Sequence, residues 1–89
     1  MTKRLNLKIH GLVQGVGYRY VTKNEAKKWG FTGFVRNANG SVEIVAEGEE
    51  TDLKKFIDWC YNGVGSVQVS KIDINWSEAT GEFRDFLIR

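Results

Sequence analysis

The chain has 89 residues, with no proline, one cysteine and one histidine. Cys60 alone cannot form an internal disulfide, which fits a reducing compartment. His10 stands on the polar side of an alternating segment and reads as a surface residue; no second histidine exists to help build a metal site with it. Charge of one sign is also scarce. Thirteen basic and eleven acidic residues leave +2, too weak a bias to argue for a nucleic acid or a membrane surface as partner. No apolar run approaches transmembrane length, and Met1–Asn6 is too polar for a signal peptide, so a cytoplasmic location is the default. Linkers, repeats and low-complexity stretches are missing as well. The composition, 42% hydrophobic and 27% charged, is that of an ordinary soluble globular chain. Residues 1–89 form one domain, whose core is small but adequate without metal or disulfide.

With no proline to mark turns, the elements are read from periodicity, glycine and asparagine. Leu5, Leu7 and Ile9 alternate with Arg4, Asn6, Lys8 and His10, the pattern of a strand with one buried face. From Tyr18 to Trp29 the residues Tyr18, Val21, Thr22, Ala26 and Trp29 recur at helical spacing, with Lys23, Lys27 and Lys28 outside. Gly30 follows as a left-handed cap. Phe31–Asn37 reads as a second strand and Ser41–Glu47 as a third. Asn37-Ala38-Asn39-Gly40 joins them as a tight hairpin.

Glu49, Glu50 and Asp52 open a second helix, its acids placed as the helix dipole prefers. Leu53, Phe56, Ile57, Cys60 and Tyr61 form its apolar face, and Asn62-Gly63 ends it. Val67–Trp76 and Phe83–Arg89 are strand candidates joined by the turn Ser77–Gly81. Trp29, Phe56, Tyr61 and Phe86 read as core, and Cys60 as a buried small hydrophobe. Trp59 and Trp76 receive no functional role. This order predicts an α+β, ferredoxin-like βαββαβ sandwich: an antiparallel sheet with two helices on one face and an extra C-terminal strand. Arg4, Asn6, Lys8 and His10 would lie on the open face.

Such a fold hosts many functions, so function must come from a site. Between the first strand and the first helix lies Gly11-Leu12-Val13-Gln14-Gly15-Val16-Gly17-Tyr18-Arg19. Its glycines allow a sharp turn that presents backbone N–H groups, and a helix N-terminus adds unpaired donors. Arg19 puts a planar charged fork beside them, and the whole suggests a phosphate-sized cradle. A tight turn with a solvated arginine is the plainer alternative, and Asn37 by itself is equally an ordinary hairpin residue. A P-loop is excluded, because Gly17-Tyr18-Arg19 lacks the lysine and hydroxyl it needs. A single-stranded RNA-binding module shares the element order, and Gly33-Phe34-Val35 looks like a fragment of its signature. Against it, the first strand offers no stacking platform and the net charge is low.

Two spaced motifs resemble the acylphosphatase family. The first, Gly-x-Val-Gln-Gly-Val-x-aromatic-Arg, is matched by Gly11, Val13, Gln14, Gly15, Val16, Tyr18 and Arg19. The second is matched by Gly33, Phe34, Val35, Arg36, Asn37, Gly40, Val42 and Gly48. The chain departs from the family at Gly63-Val64-Gly65-Ser66, where members often carry a Gly-Pro type turn; that bears on the rigidity of a distant loop. The resemblance implies hydrolysis of acyl phosphates to carboxylate and inorganic phosphate. It implies that Arg19 and the backbone amides of Gln14, Gly15, Val16, Gly17 and Tyr18 bind the phosphoryl group, and that Asn37 holds the attacking water. It also implies no phosphoenzyme, no metal and no cofactor. The expected partners are a small acyl phosphate and inorganic phosphate as product and inhibitor, with the chain acting as a monomer. Nothing in either motif reads the acyl side. A binding or regulatory module without catalysis is the remaining alternative.

Overall fold

The computed structural model describes residues 1–13, 17–62 and 68–89. In β1 (Thr2–Leu12) Leu5, Leu7 and Ile9 turn to one side and are buried, while Lys8 on the other side is exposed. The chain continues as α1 (Tyr18–Lys28), β2 (Thr32–Ala38), β3 (Ser41–Glu49), α2 (Glu50–Asn62), β4 (Gln68–Glu78) and β5 (Phe86–Ile88). Among the described residues these strands form one sheet in the order β4-β1-β3-β2-β5. Pairing is antiparallel except at the edge, where β5 lies parallel to β2. The ferredoxin-like expectation therefore holds, with a mixed rather than purely antiparallel sheet. Both helices contact the sheet, α1 at β2 and β5 and α2 at β3 and β1. Leu5, Ile9, Val35, Val42, Ile44 and Ala46 meet Tyr18, Ala26, Leu53, Phe56 and Cys60 in the core.

Gly30 ends α1 as expected. Its φ of 77° lets its N–H reach Lys27 O at 3.0 Å and the Phe31 N–H reach Ala26 O at 3.0 Å, closing a Schellman motif. Some sequence expectations fail on the surface. Val21, placed on the apolar stripe of α1, is exposed, because Tyr18, Thr22 and Ala26 one turn apart already fill the narrow strip facing the sheet. Tyr61, expected in the core, is also exposed, lying past Cys60 at the end of α2. Trp59, by contrast, has a structural role. It stacks on Phe56 at 5.6 Å, and Phe56 meets Phe31 edge-on at 5.3 Å. The glycine turn 63–66 and Val67 lie outside the described residues.

The C-terminal strand is shorter than expected, since Phe83 does not join it. β4 runs on to Glu78, and residues 79–85 form a strap between the two edges of the sheet, lying against the side away from the helices. Phe83 packs on Phe34 at 5.8 Å and under the Arg4 guanidinium at 5.1 Å, contacts that a strand position would have forgone. Arg89 lies 4.4 Å over the Phe34 ring. The aromatic that an RNA-binding sheet would expose is thus covered.

Glu47 fastens the strap. Its buried carboxylate accepts hydrogen bonds from Thr80 N (3.0 Å), Gly81 N (3.1 Å) and Arg4 Nε (2.8 Å). Burial alone would raise this carboxyl, but the Thr80 amide, Arg4 and the Gly81 amide outweigh it and hold it below the usual carboxylate range. The folded state therefore binds the Glu47 proton less readily than the unfolded chain. Its stabilisation is complete above the ordinary carboxylate value of about 4.3 and is lost as pH falls towards the folded value. Glu47→Gln is expected to cost about 1–3 kcal/mol at neutral pH. It should also lose stability less steeply than the parent on acidification. Denaturant unfolding at several pH values checks both, and parallel acid limbs would rule out the Glu47 contribution.

Candidate active site

The turn into the site starts at Gly11. The register of β1 against β4 shifts between His10 and Gly11, and Gly11 takes a φ of 131°. A Cβ there would collide with the backbone carbonyl of Gln68, so the bulge requires glycine. His10 beside it is half-buried and bonded to Asp73 at 2.9 Å, not directed at the site. Val13 is buried. Gln14, Gly15 and Val16 lie outside the described residues.

The chain re-enters at Gly17, which caps α1 with φ 77° and ψ 14° and has no side chain to bond the free amides. Tyr18 then anchors the first turn. Its ring is buried, and its hydroxyl donates to the carbonyl of Cys60 at 3.2 Å, tying α1 to α2. Burial pushes the Tyr18 phenol well above its usual range and the Cys60 thiol up to about 12. Neither is a competent nucleophile, and Cys60 is the small buried hydrophobe expected.

With Tyr18 pointing inward, Arg19 faces out one position round the helix and is exposed. It has no ion pair or hydrogen bond among the described residues. The two helices differ tellingly here. α2 begins with Glu50 and Asp52, which complement its dipole, whereas α1 has no acid in its first turn and carries an arginine instead. A cation at that end opposes the dipole, so Arg19 does not serve the stability of α1, and the same end of the helix can accept an anion.

Asn37 reaches the same place from β2. The sequence leaves it at a junction, the last residue of the expected strand and the first of the expected hairpin stretch; the turn itself is made by Asn39 and Gly40, whose φ values are 49° and 86°. Asn37 is a strand residue paired with Val42. Val35 is buried towards the helices, and period-two alternation puts Asn37 on that same face, at the end of β2. The turn chemistry therefore does not account for it.

These residues meet in one cavity of about 370 Å³, lined by Val13, Gly17, Tyr18, Arg19, Tyr20, Asn37 and Ile88. Four predicted site residues are thus brought together: Gly17, Tyr18, Arg19 and Asn37. Tyr20 and Ile88 were not foreseen. Ile88 could have been found only from the parallel pairing of β5 with β2, which brings it beside Val35. A more open cleft at Lys3, Glu50, Lys54 and Trp76 offers no comparable site for an anion, because Lys3 pairs with Glu78 at 2.9 Å and Lys54 with Glu50 at 3.3 Å. Among the described residues no group of three or more His, Cys, Asp or Glu side chains could hold a metal ion.

The acylphosphatase family model matches residues 5–88. The chain belongs to the acylphosphatase family. It is 49% identical over 81 residues to the acylphosphatase of Acaryochloris marina, covering 90% of this chain and 86% of that one. It is 44% identical over 89 residues to that of Geotalea uraniireducens, covering 99% and 98%. The crystal structure of acylphosphatase from Bacillus subtilis superposes with a TM-score of 0.92 at 36% identity, covering 100% of this chain and 99% of that one. Family membership and the cavity point to the same chemistry. A guanidinium with no partner among the described residues, beside a helix start with no side-chain cap, can neutralise a phosphoryl group, and the amide of Asn37, which lines the same cavity, can orient a water.

Proposed function

We propose that the chain hydrolyses acyl phosphates by direct attack of water on the bound phosphoryl group, with Arg19 and Asn37 as its catalytic residues. The observation that carries this reading is the convergence of Arg19, the uncapped start of α1 and Asn37 on one cavity. Arg19 and the amides from Gln14 to Tyr18 hold the three phosphoryl oxygens. Asn37 uses its carboxamide to hold a water in line with the bond to be broken. The water oxygen bonds to phosphorus as the P–O bond to the acyl oxygen breaks. The leaving carboxylate takes the electron pair, and the water proton passes to a phosphate oxygen.

Little more is needed. A carboxylate has a pKa of about 4, so it leaves without a general acid. The loose transition state of phosphoryl transfer responds mainly to positioning and charge neutralisation. Inorganic phosphate, retaining the same head group, binds the same cradle as product and inhibitor. We take residues 1–89 as one such domain, acting as a monomer and, with its single cysteine, suited to the cytoplasm.

The test follows from the leaving group. The protein should turn over a simple acyl phosphate in the presence of chelator and leave sugar phosphates intact, because their alkoxides are far more basic. Inorganic phosphate should compete with substrate. Comparable turnover of a sugar phosphate would show that an acid had been overlooked, and rescue of chelated enzyme by added magnesium would reveal a metal.

A further inference from the structure

The cavity extends beyond what a phosphate needs, and its remaining wall is apolar. Arg19 and Asn37 are taken up by the phosphoryl group and the water. Of the other lining residues, Tyr20 and Ile88 are accessible, while Val13 and Tyr18 are buried. Tyr20 follows Arg19 directly on the first turn of α1, and its ring lies under the Lys23 ammonium at 5.6 Å. Ile88 ends β5 opposite Val35, on the same side of the sheet as Asn37, where β5 packs against α1. An aromatic ring and a branched chain therefore flank the phosphate site from two elements. Among the described residues no carboxylate lines the cavity to bond a hydroxylated acyl group. The volume, about 370 Å³, lies at the lower end of small-ligand sites, which span roughly 300–1,000 Å³.

Resting on the function proposed above, we infer that Tyr20 and Ile88 read the acyl side of the substrate and favour an aromatic or branched apolar acyl group over a small or hydroxylated one. The phosphate end supplies affinity common to all acyl phosphates. The Tyr20 and Ile88 wall separates them by the apolar surface each can bury, which for a well-filled pocket discriminates by about tenfold or more.

The experiment compares kcat/KM for benzoyl phosphate and acetyl phosphate in the parent, Tyr20→Ala, Tyr20→Phe, Ile88→Ala and Ile88→Val. The parent should prefer benzoyl phosphate by about tenfold or more. Tyr20→Ala and Ile88→Ala should each cut that ratio severalfold, with inhibition by inorganic phosphate unchanged. Tyr20→Phe keeps the ring and should keep the ratio, and Ile88→Val, which preserves the β-branch on a short strand, should shift it in the direction of Ile88→Ala. If all variants fold and retain the parental ratio, or if the parent shows no preference, the acyl-wall assignment is overturned while the hydrolase reading stands. A parent that hydrolyses neither compound overturns both.

Discussion

Arg19→Ala should lower kcat/KM for an acyl phosphate by about three orders of magnitude, the scale of removing a transition-state arginine in phosphoryl transfer. It should do so without destabilising the fold. Arg19 is exposed, has no partner among the described residues and opposes the α1 dipole, so alanine removes an unfavourable charge and substitutes a better helix former. The melting temperature is expected to stay level or rise while activity collapses, a separation of stability from function. Arg19→Lys should recover little activity, because a point charge on a flexible stem cannot copy the planar fork. Thermal unfolding and steady-state kinetics on the same preparations check this. A large fall in melting temperature for Arg19→Ala would mean that the side chain serves the fold, and a lysine variant near parental activity would mean that charge alone suffices.

The second large effect belongs to Asn37, and it should differ in kind. The bound phosphate does not require Asn37; the attacking water does. Asn37→Ala is expected to lower kcat by about two orders of magnitude or more, as for a lost positioning group, with inhibition by phosphate nearly unchanged. Arg19→Ala should weaken phosphate binding and turnover together. Because Asn39 and Gly40 form the turn, Asn37→Ala should barely disturb the hairpin. Asn37→Asp keeps the size but exchanges the amide donors for a charge near the phosphate, and should be at least as damaging. Near-normal kcat in Asn37→Ala, or loss of phosphate binding as severe as in Arg19→Ala, would remove the water-positioning role.

What the sequence revealed and what it hid follow from the range of the interactions. Period-two alternation at Leu5, Leu7 and Ile9, the helical stripe of Leu53, Phe56 and Cys60, and the cap at Gly30 are local patterns, and each folds as read. Arg19 and Asn37 stand out as candidates because their motifs are local too, and the fold brings both to one cavity. The errors arise where distant segments compete for a side chain. Phe83 leaves the expected strand for Phe34 and Arg4, and Glu47, an unremarked strand acid, becomes the buried clasp of the strap. Tyr20 and Ile88 join the site only through the packing of α1 against β5. Asn37 can also be read as a hairpin residue, since it opens Asn37-Ala38-Asn39-Gly40, and its pairing with Val42 makes it the strand residue.

The place where water attacks is open to a direct measurement. Hydrolysis in water labelled with heavy oxygen, followed by mass analysis of both products after a single turnover, reports which bond forms. Attack on a phosphoryl group held by Arg19 puts the labelled oxygen into inorganic phosphate and leaves the carboxylate unlabelled. Label in the carboxylate would place the attack at the acyl carbon and contradict the roles given to both Arg19 and Asn37.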